Sequence, residues 1–201
     1  KKYKSLESRR WLRGEKVKID RFNLHFSPEK SVFMPVESAV PSKADWATSK
    51  NTVLQNLDNN ERVSIYNLFG DRKTVKDELV KRTWKITERK RTIAGYSCRR
   101  AIWSKNDSTR IYAWYTDQII ASTGPETFNG LPGTILGLAT EDGGVVYFAK
   151  IVNEKYQNMD EIISDIKIKK TCTEKELKEE LEQKSKSNPW MGRIINYLFE
   201  W

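Results

Sequence analysis

The chain has few side chains of the kinds that catalysis or metal binding requires. It contains a single histidine, His25, and two cysteines, Cys98 and Cys172, which lie far apart in the sequence. One histidine and two distant cysteines cannot supply the closely spaced ligands of a zinc finger or ribbon. His25 has no evident nucleophile or orienting partner. We therefore expect no metal site and no cofactor.

The carboxylates offer no better catalytic arrangement. General acid–base chemistry needs two ionisable groups held close together, and the sequence spacing of the candidates demands no such proximity. A reactive thiolate at Cys98 would need an accessible, electropositive setting, which the middle of a strand does not provide. The sequence thus predicts no catalytic residue and a protein that is not an enzyme. The carboxylates considered are Asp117, Glu126, Glu141 and Asp142.

The two cysteines leave two alternatives open. In an oxidising compartment, a disulfide between Cys98 and Cys172 would close a long loop and stabilise the fold by about 4 kcal/mol. Two buried thiols agree equally well with the spacing.

Residues 124–133, which we call the motif loop, are unusually rich in glycine and proline. Prolines fix φ, and glycines permit positive φ or close backbone approach, so this composition predicts a rigid, tightly turned loop. The loop lacks the consecutive Lys-Ser/Thr pair of a phosphate-binding loop and the glycine spacing of a dinucleotide fingerprint. We expect Phe128 and Leu131 to point inward. The candidate loop residues are Gly124, Pro125, Phe128, Gly130, Leu131, Pro132 and Gly133.

Alternating polar and apolar residues predict strands along most of the chain. The pattern favours a mainly β (α+β) fold, an antiparallel meander that forms a curved sheet or half-barrel, with short C-terminal helices. Residues 110–116 are apolar on both faces, so we expect a central or covered strand. Strands or hairpins are predicted at residues 22–34, 62–69, 84–103, 110–116, 134–140, 145–153 and 162–170, with a long loop at 35–60.

The composition divides the chain into a basic segment at residues 1–21, an antiparallel β domain at 22–172 and a helical tail at 173–201. Thr173 and Glu176 fit a capping box, with Leu177 and Leu181 facing a core. The end of the tail is dominated by apolar and aromatic residues, which either pack on the sheet or contact a partner or a membrane surface. These candidate partner-binding residues are Trp190, Met191, Ile194, Ile195, Leu198, Phe199 and Trp201.

Charge is unevenly placed in this chain of net charge +9. Residues 81–110 carry ten basic and two acidic side chains, whereas residues 111–165 carry two basic and eight acidic ones. The run Arg89-Lys90-Arg91 falls where we expect a solvated hairpin turn. Nucleic-acid binding would need aromatic rings interleaved with these cations on one face, and we do not expect it. An anionic partner (lipopolysaccharide, a phospholipid headgroup or an acidic protein) is the alternative.

Several motifs occur in the order seen in the GLPGLI family of Bacteroidota proteins, which the chain resembles over roughly residues 22–180. The motif loop continues as Gly-Leu-Pro-Gly-Thr-Ile, with Thr134 where the family usually has Leu. Residues 93–101 are similar to the family pattern Ile-x-Gly-Tyr-x-Cys-x-Lys-Ala, and residues 113–116 repeat its Ala-Trp-Tyr-Thr. Leu24-x-Phe26 and Ser31-x-Phe33 match earlier elements.

The resemblance implies a signal peptide and residence in the periplasm, with outer-membrane association. It implies no activity. Genes of this family often lie near those of outer-membrane receptors, which favours a non-enzymatic accessory protein that associates with a receptor or translocon complex. The alternative is a carrier of a lipid or lipoprotein acyl chain, by analogy with the curved sheet of LolA-like carriers. Such a carrier would use Trp84, Trp103, Tyr112 and Trp114 to line one concave face; we favour a protein partner over a small-molecule ligand.

Overall fold

The computed structural model describes residues 19–36, 50–68, 71–106, 109–155, 157–168 and 170–187. Within these residues the chain forms two β-sheets, not closed into a barrel, and two short helices near the C-terminal end. The predicted mainly β fold, with antiparallel pairing and C-terminal helices, is therefore confirmed.

The first sheet has the strand order β1-β2-β3-β4-β5-β11. Its pairs are antiparallel except for β11, which runs parallel to β5. The strands are β1 (Phe22–Phe26), β2 (Lys30–Pro35), β3 (Thr52–Asn56), β4 (Glu61–Leu68), β5 (Asp71–Glu78) and β11 (Thr171–Cys172).

The second sheet has the strand order β10-β9-β8-β7-β6 and is antiparallel throughout. Its middle strand is the one that is apolar on both faces, as the sequence predicts. The strands are β6 (Lys85–Ile93), β7 (Tyr96–Asn106), β8 (Thr109–Thr116), β9 (Thr134–Thr140) and β10 (Val146–Phe148).

The second sheet curls so strongly that side chains of its two edge strands come into contact over one face. Arg91 lies on edge strand β6 and Phe148 on edge strand β10, yet the Arg91 guanidinium carbon is 4.8 Å from the Phe148 ring centroid. In a flat sheet these strands would be about 19 Å apart, four strand spacings. Gly137 on β9 permits the approach, because a Cβ there would lie 2.6 Å from Phe148 and 2.9 Å from Ile93.

Four sequence predictions about the elements are wrong. The strand predicted at 145–153 covers only β10, which ends at Phe148. The predicted loop at 35–60 contains β3, whose short run Thr-Val-Leu-Gln-Asn is hidden among polar residues. The predicted strand at 162–170 is instead part of α1 (Met159–Ser164) and a connection, because Asn158 caps a helix whose Ile162 and Ile163 pack on the first sheet. Arg89-Lys90-Arg91 lies within β6, and the turn comes later, at Ala94 and Gly95.

The second helix, α2 (Glu174–Ser187), begins at the predicted capping box. The Thr173 backbone N–H donates to Glu176 at 2.7 Å, and the Glu176 N–H donates to the Thr173 hydroxyl at 3.2 Å. Leu177 and Leu181 are almost fully buried against Tyr66, Leu68 and Val75 of the first sheet. Among the described residues, no helix combines the length and apolar character needed to cross a membrane.

Candidate functional site

The motif loop contacts both sheets. Phe128 and Leu131 point inward, as predicted, and join a core with residues of β7, β8 and β9. On the other side, Asn129 donates to the Gln55 side chain of β3 at 2.6 Å. Thr123, the residue just before the loop, donates to the Ser31 hydroxyl of β2 at 2.7 Å. The loop is thus a structural element that joins the two sheets.

Arg82 and Trp84, on the segment before β6, fasten the motif loop. The Arg82 guanidinium donates to the carbonyl and to the hydroxyl oxygen of Thr127, both at 2.7 Å, and lies 4.1 Å from the Phe128 ring centroid. The Trp84 indole N–H donates to the Asn129 carbonyl at 2.9 Å. Burial and the neighbouring charge of Arg62 lower the pKa of Arg82 to about 9, so its guanidinium stays charged at neutral pH.

Glu126 is a buried acid at the centre of this arrangement. It has a φ of 53°, uncommon for a residue with a side chain, and its carboxyl accepts a hydrogen bond from the Tyr147 hydroxyl at 2.8 Å. Burial raises the pKa of Glu126 to about 7, although the Tyr147 hydrogen bond partly offsets the effect. A carboxyl of this pKa could exchange protons near neutral pH. Its side chain, however, faces the contact between the sheets rather than solvent.

Gly133 shows why the motif loop requires glycine. Its φ is +138°, and a Cβ there would lie 2.0 Å from the carbonyl oxygen of Thr116. Gly130 also has a positive φ, of +86°, but more open surroundings. Of the remaining motif residues, Gly124 and Pro125 are buried and Pro132 is exposed.

The other candidate chemical groups are dispersed. His25 contacts Gln157, with 2.6 Å between Nδ1 and Oε1. Glu141 accepts from Arg110 and Tyr112 on the surface, and Asp142 accepts from the Gly144 N–H. Asp117 is exposed after β8. Among the described residues, no three His, Cys, Asp or Glu side chains lie close enough together to hold a metal ion.

In the structure Cys98 and Cys172 are both free thiols, Cys98 buried and Cys172 half-buried. They lie in different sheets, on β7 and β11, and their Sγ atoms contact different carbonyls, Tyr96 O and Thr74 O, each at 3.6 Å. Burial raises the pKa of both thiols, and the nearby carboxylates of Glu176 and Glu180 raise that of Cys172 further. Neither thiol is in the electropositive, exposed setting of a reactive cysteine.

The second sheet presents a different cluster on the face away from the motif loop. Tyr112 and Trp114 of β8 contact each other edge to face, and Trp114 also contacts Phe148 of β10. The Arg91 guanidinium carbon lies 5.1 Å from the Trp114 ring centroid, and that of Arg100 lies 5.3 Å from the Tyr112 ring centroid. We call these five residues the arginine–aromatic face.

The arginine–aromatic face corrects the expectation that four aromatic rings line one concave surface. Trp84 and Trp103 pack against Phe128 on the motif-loop side, whereas Tyr112 and Trp114 lie on the opposite side of the sheet. The strand register explains this separation: Trp103 is opposite Ile111, so it shares a face with Ile111 and not with Tyr112.

Sequence reasoning missed both Arg91 and the burial of Glu126. The charge run predicts a turn at Arg91, whereas the observed extent of β6 places Arg91 on the same face as Cys98 and Trp114. For Glu126 no local signal exists, because a carboxylate in a Gly- and Pro-rich loop is normally exposed. The predicted partner-binding residues at 190–201 lie outside the described residues.

The fold places the chain among mainly β proteins with two sheets. One family model also matches part of its sequence. The family described as "Protein of unknown function (Porph_ging)" matches residues 104–137, which include β8 and the motif loop. Among curated proteins, none matches this chain.

Two solved structures share the fold. "Structure of PNGF-II in C2 space group" matches at a TM-score of 0.59 and 19% identity, over 82% of this chain and 30% of that chain. "Structure of PNGF-II in P21 space group" matches at a TM-score of 0.55 and 16% identity, over 79% of this chain and 28% of that chain. This chain therefore spans less than a third of each solved chain.

Proposed function

We propose that the protein is a non-enzymatic interaction protein, and that the arginine–aromatic face is its contact surface. The observation that carries this proposal is that Arg91 lies across Trp114 and Phe148 with no carboxylate in ion-pair contact among the described residues. Aromatic and arginine side chains are enriched at protein interfaces, where they provide large contacts and multiple donors.

The setting we propose is the periplasm, with association to an outer-membrane receptor or translocon complex. Support comes from the resemblance to the GLPGLI family, and the family model of unknown function covers the same β8 and motif-loop residues. Contact with a membrane surface through the apolar tail belongs to the same proposal.

The alternative function, a carrier of a lipid or acyl chain, has weaker support. Phe128, Leu131, Trp84 and Trp103 pack together between the motif loop and the second sheet, where a carrier would need open space. The groove beside Phe148 is about 270 Å³, below the roughly 300 Å³ at which small-molecule sites begin.

Affinity purification of the tagged protein from its native cell, without crosslinker, tests the proposal. We expect one partner to be recovered repeatedly with the wild type and lost with the double variant Arg91→Glu, Arg100→Glu. Lys167→Glu is the matched control, because Lys167 is an exposed cation on the loop after α1. Repeated recovery of the protein alone would contradict an interaction role, and a partner retained by the double variant would exclude this face.

A further inference from the structure

The curled second sheet leaves an open seam between its two edge strands. A groove of about 270 Å³ lies in this seam, with Arg91, Thr92, Ile93 and Ala94 on one wall and Phe148 and Ala149 on the other. The first wall belongs to β6 and its turn, and the second to the end of β10. An added strand along β6 would therefore lie beside this groove, with its side chains next to Arg91 and Phe148.

Among the described residues, the backbone groups on the seam side of β6 have no partner strand. Ala94 and Gly95 both have positive φ, 49° and 88°, as in the two-residue turn that closes a tight hairpin. Ile93 and Tyr96 then form the hydrogen-bonded pair that closes the hairpin. Hydrogen-bonded and non-hydrogen-bonded pairs alternate along an antiparallel ladder, so the N–H and C=O of Thr92 and Lys90 point away from β7. Among the described strands, β6 pairs only with β7.

The charges on β6 select what could pair with it. The strand carries Lys85, Arg89, Lys90 and Arg91, none of which has a carboxylate within ion-pair distance among the described residues. The strand's one acid, Glu88, contacts Arg99. Cations on an edge strand discourage pairing with neutral or basic strands. They favour a segment that brings negative charge.

From these three features we infer that the seam binds an extended acidic segment of a partner protein. The segment adds to β6 as a strand, using the backbone groups of Lys90 and Thr92, and places a carboxylate against Arg91 beside Phe148. Strand addition of this kind takes affinity from main-chain hydrogen bonds and specificity from side-chain pockets. The inference deepens the proposed function and rests on it.

A synthetic peptide of alternating glutamate and valine is the probe, measured by fluorescence anisotropy with the intact protein. We expect saturable binding, weakened about tenfold by Arg91→Gln and left unchanged by Lys167→Gln. The same peptide N-methylated on alternate residues keeps its charge but cannot form the ladder, so we expect it not to bind. Because this change is in the peptide, its result does not depend on how a protein variant folds.

Three results would overturn the inference: equal binding of the methylated and unmethylated peptides, no effect of Arg91→Gln, or binding to phosphatidylglycerol vesicles but not to the peptide. Failure here is distinguishable from failure of the proposed function. Suppose that Arg91→Gln still recovers a partner in the purification, and that the methylated peptide binds as well as the unmethylated one. The interaction role then stands, and the strand-addition site is wrong. If no partner is recovered, the function itself is wrong.

Discussion

The Tyr147 hydroxyl donates a hydrogen bond to the Glu126 carboxyl at 2.8 Å, and so joins β10 to the motif loop. The ring of Tyr147 also contacts Phe22 and Phe33 of the first sheet edge to face, each at 5.7 Å between centroids. One side chain thus connects both sheets and the loop. The ionisation of Glu126 therefore takes place at the point where these three parts meet.

Replacing Glu126 with Gln should remove a pH dependence of stability. The folded pKa is raised to about 7 from an ordinary 4.5, so this group's stabilising contribution is complete below pH 4.5 and is lost as pH rises to about 7. The loss amounts to about 3 kcal/mol, on the order of 1.4 kcal/mol per pKa unit. Urea unfolding at a series of pH values measures it.

Glu141→Gln is the matched control for this titration. Glu141 also accepts from a tyrosine hydroxyl, that of Tyr112, but on the surface. We expect the control to keep the wild-type pH profile. An identical profile for Glu126→Gln and wild type would show that the Glu126 carboxyl is not buried as described.

Arg82→Lys should destabilise the fold although the charge is kept. The guanidinium makes two hydrogen bonds to Thr127 and stacks on Phe128, a planar arrangement that an ammonium cannot reproduce. We expect a loss of about 2 kcal/mol in the free energy of unfolding. Arg110→Lys, at an exposed ion pair with Glu141, should change it by no more than about 0.5 kcal/mol. Equal effects of the two substitutions would argue against the described anchor.

Gly133→Ala should be much more damaging than Gly143→Ala. Both glycines have positive φ, but a Cβ at Gly133 would collide with the Thr116 carbonyl, whereas nothing lies within 4 Å of one at Gly143. We expect a loss of at least about 3 kcal/mol at Gly133 and about 1 kcal/mol at Gly143. Thermal unfolding of both variants gives the comparison. Similar melting temperatures would mean that the motif loop does not approach β8 this closely.

Cys172 should react with iodoacetamide before Cys98. Both thiols have raised pKa values, but Cys172 is half-buried and Cys98 is fully buried, so alkylation of Cys98 requires local opening. Peptide mass mapping after timed labelling identifies the order, and labelling in urea without reductant should modify both. A protein that resists labelling in urea until reductant is added would contain the disulfide that the structure lacks.

The predictable parts of the fold are those in which local signals agree. The hairpin of β1 and β2 has a turn rich in Ser and Pro between alternating strands, and the β9–β10 hairpin has Asp142-Gly143 at its turn. The sequence does not predict strand β5, because Asp-Arg-Lys-Thr-Val-Lys-Asp-Glu contains a single apolar residue, Val75. The strand forms because it pairs with β4 and because α2 packs on Val75. A local sequence pattern cannot predict either of these long-range contacts.

The candidate site was less predictable because distant residues build it. The motif loop and its inward Phe128 and Leu131 follow from composition, but the partners Arg82 and Gln55 are long-range contacts. Arg91 and Phe148 meet only because the sheet curls, and this depends on the missing side chain at Gly137. A glycine inside a strand signals close approach of another group, but it does not say which group approaches.

The parallel pairing of β11 with β5 bears on how the molecule is assembled. All the strands of the second sheet lie between β5 and β11 in the chain, so the first sheet gains its last strand only after the second sheet has been synthesised. The two sheets are consequently not separable modules, since a break in the connection before β6 would divide the first sheet between two fragments. Contacts between residues so distant in sequence are also slow to form, which predicts a slow, concerted folding reaction rather than two independent ones.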